Sequence, residues 1–308
     1  MTPFLAMVLL LFLTACAPGS SPYSQTQNVF GEDDRLDFLF HEYPWSAIGR
    51  LVMGDSHCTS FLVGESLAAT NAHCIETLSM VFEVNFMGGA AKDSARVIDV
   101  WVGSVPNDAE SYRDWALLVL DKPLGKKFGW FDLKQEHNFS SINDEEFDAG
   151  SLVHPYTKNL ALVGYPADYK DGETGAISFG CGIAAYYPNK GTFLHDCDSQ
   201  GGSSGGPLFA IDTNYQPIRN TQGRVDLVAL HRGAYKLPLD LNHIDEFSYT
   251  SANIAVPPSH FSKPVEMLRK LDIPKIEFKT LVVCNETVHD KVLPSIHHKL
   301  ESSSRHKR

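Results

Sequence analysis

The chain has 308 residues, and 43% of them are hydrophobic, which is enough for a substantial buried core. Its 26 Lys and Arg residues against 37 Asp and Glu residues give a formal net charge of −11. This acidic balance argues against nucleic acid or an anionic membrane surface as the main partner. The composition therefore predicts a globular protein with one large domain or two small ones.

The chain begins with a segment typical of a bacterial export signal. An apolar run over residues 4–13 is too short to cross a bilayer comfortably and is soon followed by Cys16. We predict a signal peptide of lipoprotein type over residues 1–15, with Cys16 lipidated, and a linker over residues 16–28. The start of the chain departs from the usual pattern because it lacks Lys or Arg, and an ordinary signal peptide with a chance cysteine is the alternative. The protein is then exported, either tethered to a membrane through Cys16 or secreted after processing.

Beyond the linker, short apolar runs separated by turns predict antiparallel β-strands in barrels or sandwiches. An early proline and late basic residues predict one helix over Lys263–Leu271. The folded domain is expected to span residues 29–272, followed by an extension of unassigned role over 273–308. The predicted strands are Ile48–Met53, Thr59–Val63, Leu67–Thr70, Val81–Phe86, Ala95–Val102, Ala116–Leu120, Leu160–Val163 and Val225–Leu230.

Three residues, His73, Asp114 and Ser204, lie in contexts typical of nucleophilic catalysis. His73 follows an apolar strand and precedes Cys74, Asp114 precedes another apolar run, and Ser204 lies in the glycine-rich turn 201–207. A serine hydroxyl needs an imidazole to take its proton and a carboxylate to orient that imidazole. Taken singly, Asp114 would cap a turn and the serine turn would be a flexible loop. Together, the three residues predict acyl-transfer chemistry.

The glycines around Ser204 have a physical role in this hypothesis. Gly202 can adopt backbone angles closed to other residues, so its N–H and that of Ser204 can point together at a developing oxyanion. We therefore predict that Gly202 and Ser204 form an oxyanion hole. Ser203 is a competing nucleophile, but Ser204 alone has the Gly-x-Ser-Gly-Gly-Pro setting.

Five cysteines follow Cys16, so four can pair and one is left over. Four cysteines allow three connectivities; Cys58 with Cys74 closes a short loop beside the histidine, and Cys181 with Cys197 closes one before the serine turn. Such bridges would indicate an oxidising compartment, in agreement with export. No Cys-x-x-Cys or His-x-x-x-His spacing accompanies these residues, and we predict neither a metal site nor a cofactor.

These motifs resemble the chymotrypsin-fold serine proteases, and particularly their bacterial glutamyl endopeptidase branch. The resemblance spans residues 29–271 and is carried by the opening segment 28–35, the run 58–63 that leads to His73, and the Ser204 turn. It implies an all-β fold of two packed antiparallel six-stranded β barrels with a C-terminal helix, with the triad between the barrels. It also implies a serine endopeptidase acting on protein or peptide substrates, and we expect a monomer.

The loop before Ser204 carries two conflicting signals about substrate specificity. Ser199 and His231 match the hydroxyl and imidazole with which the glutamyl branch binds a substrate carboxylate, which implies cleavage after Glu. Asp198 lies at the offset where trypsin-like enzymes place a carboxylate that attracts Arg or Lys, so basic specificity is the alternative. In a third interpretation, Asp198 turns away to accept backbone hydrogen bonds and His231 is an ordinary strand histidine.

Two departures from the family pattern affect activation and recognition. Ser203 stands where zymogen-activated relatives carry an aspartate, so activation through that ion pair is not expected. The glutamyl branch also uses a free terminal amine in recognition, which a terminus lipidated at Cys16 could not supply. Either a second cleavage occurs near Val29, or recognition does without the amine. A protease-like binding lipoprotein without turnover is the alternative from another functional class.

Overall fold

The computed structural model describes residues 28–77, 79–103, 111–133, 158–234 and 252–270. The predicted signal peptide, Cys16, nearly all of the linker and the extension 273–308 lie outside the described residues. In the described ranges, no helix combines the length and apolar character needed to cross a membrane.

The first half of the molecule is a closed antiparallel barrel. A two-residue strand, β1 (Leu36–Asp37), precedes it and pairs with the second half. The six barrel strands follow the cyclic order β2-β3-β4-β7-β6-β5. They are β2 (Ile48–Met53), β3 (Ser56–Gly64), β4 (Leu67–Thr70), β5 (Val81–Val84), β6 (Asp93–Val102) and β7 (Ala116–Leu120).

The second half is a nine-stranded sheet in the order β1-β10-β9-β13-β14-β15-β12-β11, with β8 paired to β14. Only Gly182 separates β10 from β11, so these two elements form one bent strand. Its β10 part pairs with β9 on one side of the sheet, and its β11 part pairs with β12 on the other side. Counted in this way, six strands curve around the second core, and β1 and β8 are additions. The further strands are β8 (Asp132–Leu133), β9 (Leu160–Gly164), β10 (Ala176–Cys181), β11 (Ile183–Tyr187), β12 (Thr192–His195), β13 (Pro207–Ala210), β14 (Asp226–Ala234) and β15 (Asn253–Val256).

Helices are few among the described residues, and the last one connects the two halves. A short helix, α1 (Leu124–Phe128), follows the first barrel, and α2 (Ser262–Arg269) ends the described chain. Helix α2 buries Val265 and Leu268. Its Arg269 guanidinium donates to the carbonyl oxygens of Val63 at 2.6 Å and Phe131 at 2.8 Å. These bonds fix the helix to the first barrel and to the segment that enters the second half.

Large aromatic side chains fill the space between the halves. Phe131 packs edge-on against Phe61 of the first barrel at 5.4 Å between ring centroids, and it also lies 5.5 Å from Phe209 of the second half. Trp45 contacts Phe209 at 5.2 Å. Because these rings are buried and contribute to one continuous core, the halves pack as a single unit.

The prediction of an all-β fold with a C-terminal helix is confirmed. Each predicted strand coincides with an observed one, with differences of up to four residues at the ends, and the predicted helix begins one residue earlier than expected. The strands that the sequence pattern missed lie mainly in the second half. They are only two to six residues long; they are β1, β8, β10, β11, β12, β13 and β15.

Candidate active site

His73 lies on a single 3-10 turn, Ala72–Cys74, directly after β4. A disulfide between Cys58 of β3 and Cys74 ties this turn to the barrel, as predicted. The neighbouring residues Ala72 and Cys74 are buried, whereas 40% of the His73 side chain remains exposed. The imidazole is therefore held by its backbone and remains accessible to a substrate.

Asp114 reaches His73 because of strand pairing in the first barrel. Strands β4 and β7 are antiparallel neighbours, with Thr70 opposite Ala116, so the residues after β4 and before β7 leave the sheet at the same edge. The His73 ring donates from Nδ1 to Asp114 Oδ2 at 2.7 Å, and the His73 backbone N–H donates to Oδ1 at 3.0 Å. Asn71 Nδ2 holds the Asp114 carbonyl oxygen at 2.8 Å.

The Asp114 carboxylate is buried, with 5% of the residue exposed. Burial alone would raise its pKa, but the hydrogen bond from His73 and the charges of His73 and Arg232 outweigh that effect and hold the pKa of Asp114 below its usual value. The carboxylate therefore stays ionised at neutral pH. An ionised acceptor fixes the imidazole with its Nδ1 protonated, which leaves Nε2 free to take a proton.

The Ser204 loop is held between the two halves by backbone contacts. The Thr59 N–H of β3 donates to the Ser204 carbonyl oxygen at 2.8 Å, and the Thr59 hydroxyl donates to the Gly202 carbonyl oxygen at 2.8 Å. On the other side, the Gly205 N–H donates to the His231 carbonyl oxygen at 2.9 Å. Sequence reasoning missed Thr59, because nothing local marks a strand threonine as a support for a distant loop.

The Ser204 hydroxyl donates to the carbonyl oxygen of Arg232 on β14 at 3.2 Å. No hydrogen bond between this hydroxyl and His73 occurs among the described residues. The structure thus brings His73 and Asp114 into direct contact, and it places Ser204 in the same region through Cys74, whose sulfur lies 3.9 Å from the Ser204 carbonyl oxygen. Catalytic hydrogen bonds are often not formed until a substrate is bound.

The backbone around Ser204 requires glycine at two positions. Gly202 has a φ of 97°, and a Cβ atom there would lie 2.3 Å from the Tyr165 carbonyl oxygen. Gly205 has a φ of 85°, and its Cβ would lie 2.2 Å from the Thr59 carbonyl oxygen. In the described part of the chain, neither the Gly202 N–H nor the Ser204 N–H donates to a protein oxygen. An oxyanion hole requires N–H groups that make no hydrogen bond within the protein.

Ser203, the competing nucleophile in the sequence, is buried with 2% of its surface exposed. Its side chain packs against Gly164, where a Cβ atom would lie 2.9 Å from the Ser203 hydroxyl oxygen. Ser204 is the more accessible of the two serines. The burial of Ser203 favours Ser204 as the residue that reacts.

A second predicted disulfide, Cys181–Cys197, is present and links β10 to the loop before the serine turn. The donor atoms of Cys58, His73 and Cys74 lie within 4.8 Å of one another. Both sulfurs of that group are bonded to each other in the first disulfide. Sulfurs joined in a disulfide are poor metal ligands, because the thiolate is the form that binds a metal. The bond between these two sulfurs instead braces the histidine turn.

Asp198 faces the amino-terminal segment. Its Oδ1 accepts the Phe30 N–H at 2.8 Å, and burial raises its pKa to about 7. The neighbouring Ser199, also buried, donates its N–H to the Asn28 carbonyl oxygen at 3.0 Å. The Asp198 oxygen that would attract a basic substrate is thus already bonded within the chain.

The amino-terminal segment is also anchored further along. The guanidinium of Arg35 is buried and pairs with Asp33 at 2.7 Å and with Asp168 at 2.8 Å. Directly after Arg35, β1 pairs with β10, with Leu36 opposite Ile177. The segment therefore lies along the second half of the molecule from Asn28 onward.

His231, on β14, is fully buried, and its Nδ1 lies 3.0 Å from Nε2 of the equally buried His195. The Cys197 N–H points at Nδ1 of His195 at 3.2 Å. Burial lowers the pKa of His195 to about 3, although a hydrogen bond with the Ile254 backbone favours the protonated ring. Burial, followed by the charges of His195, His73 and Arg232, lowers the pKa of His231 well below its usual value. Both rings are neutral, and sequence reasoning missed His195.

Comparisons with known proteins agree with this geometry. The glutamyl endopeptidase of Bacillus licheniformis is 24% identical over 231 residues, which is 71% of this chain and 65% of that protein. The chain thus spans less than two thirds of the relative's length. A solved structure of a Glu endopeptidase in complex with MPD has a TM-score of 0.57 at 19% identity and covers 79% of this chain and 99% of that one.

The solved structure shows that the fold is the expected chymotrypsin-like one. The family profile of the trypsin-like peptidase domain matches residues 58–215, just over half of the 308 residues. This match begins at the first disulfide cysteine and includes His73, Asp114 and Ser204. The chain therefore belongs to the trypsin-like peptidase family.

Proposed function

We propose that the chain is a serine endopeptidase that hydrolyses peptide bonds through an acyl-enzyme. Ser204 attacks the carbonyl carbon, His73 takes the hydroxyl proton and later gives it to the leaving amine, and Asp114 orients the imidazole. The N–H groups of Gly202 and Ser204 bind the oxyanion. The observation that carries this proposal is the 2.7 Å bond between His73 and the ionised, buried Asp114.

A fluorophosphonate probe tests this proposal, because it forms a covalent adduct only with an activated serine. The purified protein should be labelled at Ser204, and Ser204→Ala and His73→Ala should each abolish both labelling and peptide hydrolysis while the circular dichroism spectrum is unchanged. Ser203→Ala is the matched control and should still be labelled. Substantial hydrolysis by Ser204→Ala would refute the assignment. A binding protein without turnover would give no adduct.

Within this proposal, the substrate specificity is a preference for Glu before the scissile bond. The first support for this preference is the neutral pair of His195 and His231. The Cys197 N–H donates to Nδ1 of His195, which favours the tautomer with the His195 proton on Nε2, facing Nδ1 of His231. His231 then carries its own proton on Nε2, where it is a hydrogen-bond donor suited to a carboxylate. Ser199 supplies the second group of this site.

Asp198 favours the same conclusion, because its carboxyl group accepts the Phe30 N–H and burial raises its pKa to about 7, which disfavours the charged form. A carboxyl group in that state attracts Arg or Lys only weakly. Peptides that differ only in having Glu, Gln or Arg before the cut should be hydrolysed fastest with Glu, and His231→Ala should reduce the ratio of Glu to Gln cleavage. Faster cleavage after Arg would instead support a trypsin-like role for Asp198.

We also propose export of the protein and lipidation at Cys16. The two disulfides support export, since such bonds persist in oxidising compartments. Labelling of producing cells with radioactive palmitate should mark the protein, and Cys16→Ser should remove the label. If the wild-type protein takes up no palmitate, the lipidation proposal is wrong and the alternative of an ordinary signal peptide holds.

A further inference from the structure

Arg232 contacts two of the three proposed triad residues. Its Nε lies 2.9 Å from Asp114 Oδ2, the same oxygen that accepts the His73 Nδ1–H at 2.7 Å. The Nε–H is buried and makes no hydrogen bond to any described residue, so its contact with Asp114 is an ion pair. The backbone carbonyl oxygen of the same residue accepts the Ser204 hydroxyl at 3.2 Å.

We propose that Arg232 is a positioning residue that shares Asp114 Oδ2 with His73 and sets the lower end of the pH range in which His73 acts as a base. The inference rests on the function proposed above. Arginine is charged at every pH of interest, so the ion pair with Asp114 persists whether or not His73 is protonated. The imidazolium form of His73 must then share its acceptor with a permanent cation.

Two electrostatic effects of Arg232 act in the same direction. Its charge neutralises part of the Asp114 charge that would stabilise a protonated His73, and its charge also repels the imidazolium directly. Both effects favour neutral His73, which is the form able to accept the Ser204 proton. Activity should therefore extend to lower pH than it would without the guanidinium.

Among the described residues, His73 and Arg232 are the charged groups that act on Asp114. His73 and Asp114 come from the first barrel, and His231 and Arg232 come from β14 of the second half. His231 is neutral for the reasons given above, and His195 lies behind it. The disulfide beside His73 does not titrate.

The test is the pH profile of kcat/KM for Arg232→Gln, Arg232→Met and Arg232→Lys, with active sites counted by the fluorophosphonate probe. The two neutral variants should move the acid midpoint to higher pH by roughly 0.5–1 unit, whereas Arg232→Lys should leave it close to that of the wild type. All three keep the backbone carbonyl that accepts the Ser204 hydroxyl. Having two neutral variants guards against one that does not fold.

Arg113→Gln is the matched control, because it removes the same charge from an exposed side chain next to Asp114 in the sequence. Its midpoint should not move. If a folded neutral variant of Arg232 keeps the wild-type midpoint, the proposal is wrong. A wild-type protein with neither labelling nor turnover would instead refute the proposed function, so the two failures are distinguishable.

Discussion

The hydroxyl of Thr59, on a strand of the first barrel, donates a 2.8 Å hydrogen bond to the carbonyl oxygen of Gly202 in the serine loop. The same oxygen atom of Thr59 accepts the Tyr165 N–H at 2.9 Å. One side chain therefore fixes the peptide unit that precedes the serine dipeptide and connects it to the end of β9. The proposed oxyanion hole is thus supported from the half of the molecule that carries the histidine.

We expect Thr59→Val to weaken both the fold and turnover. The valine has a similar shape but leaves the Tyr165 N–H and the Gly202 carbonyl without this partner, which should cost about 1–3 kcal/mol in the free energy of unfolding. Urea unfolding and kcat measured on the same preparation check the prediction. Thr59→Ser keeps the hydroxyl and should lose much less stability and much less turnover. Equal losses in the two variants would show that the methyl packing, and not the hydrogen bonds, is important.

Gly202→Ala should reduce kcat by roughly 10²–10³, the effect of losing one oxyanion donor. Its Cβ would lie 2.3 Å from a backbone oxygen and 2.9 Å from His57 Nε2, so the peptide unit must rotate and its N–H must turn away. Gly201→Ala is the matched control, because a Cβ there meets nothing within 4 Å. Steady-state kinetics should separate the two alanines, and similar kcat values would contradict the assignment of the Gly202 N–H.

Replacement of Cys58 and Cys74 by serine should lower stability and activity together. The disulfide spans 16 residues, and closing a loop of that size stabilises a fold by about 3 kcal/mol. It also restrains the turn that carries His73, so kcat should fall even at temperatures where the variant is folded. The Cys181/Cys197 double variant is the control. It removes a bridge of the same sequence separation, but that bridge is not attached to the histidine turn. An equal fall in kcat in both would indicate a general loss of stability.

Asp198→Asn should change how stability depends on pH. Burial raises the pKa of Asp198 to about 7 from an unfolded value near 3.8, so the folded protein binds its proton more tightly. That contribution is fully present below about pH 4 and is lost as the pH rises through 7, with an upper limit of about 4 kcal/mol. Asparagine stays neutral and keeps an oxygen for the Phe30 N–H.

The Tm of Asp198→Asn should therefore exceed that of the wild type at pH 8 and fall less between pH 5 and pH 8. Thermal unfolding at several pH values measures the difference. Asp212→Asn alters an exposed carboxylate and is a control for net charge. If the Tm of Asp198→Asn falls between pH 5 and pH 8 as much as that of the wild type, the titrating group is a different residue.

Much of the candidate site was predictable because its signals are local. The contexts of His73, Asp114 and Ser204 are short motifs, and the spacing of the four cysteines favoured the two bridges that the structure contains. Glycine at position 202 was also predictable, since its backbone conformation is closed to other residues.

Contacts between distant elements could not be predicted in this way. Thr59 and Gly202 are 143 residues apart, and Arg232 reads in the sequence as an ordinary strand residue beside a histidine. The contact between His195 and His231 is less visible still. Their strands, β12 and β14, are separated by β15, and the two side chains meet across it. Such contacts depend on the order of the strands in the second half, and these short strands leave a weak periodic signal in the sequence.

The route of the amino-terminal segment affects where the polypeptide can be shortened. A recombinant protein that starts at Ile48 would contain every strand of the first barrel and all three proposed triad residues. It would nevertheless expose the edge of β10 that β1 covers, and it would leave Asp168, Asp198 and the Ser199 N–H without their partners. Because uncovered strand edges promote aggregation, the shortest useful polypeptide begins no later than Asn28.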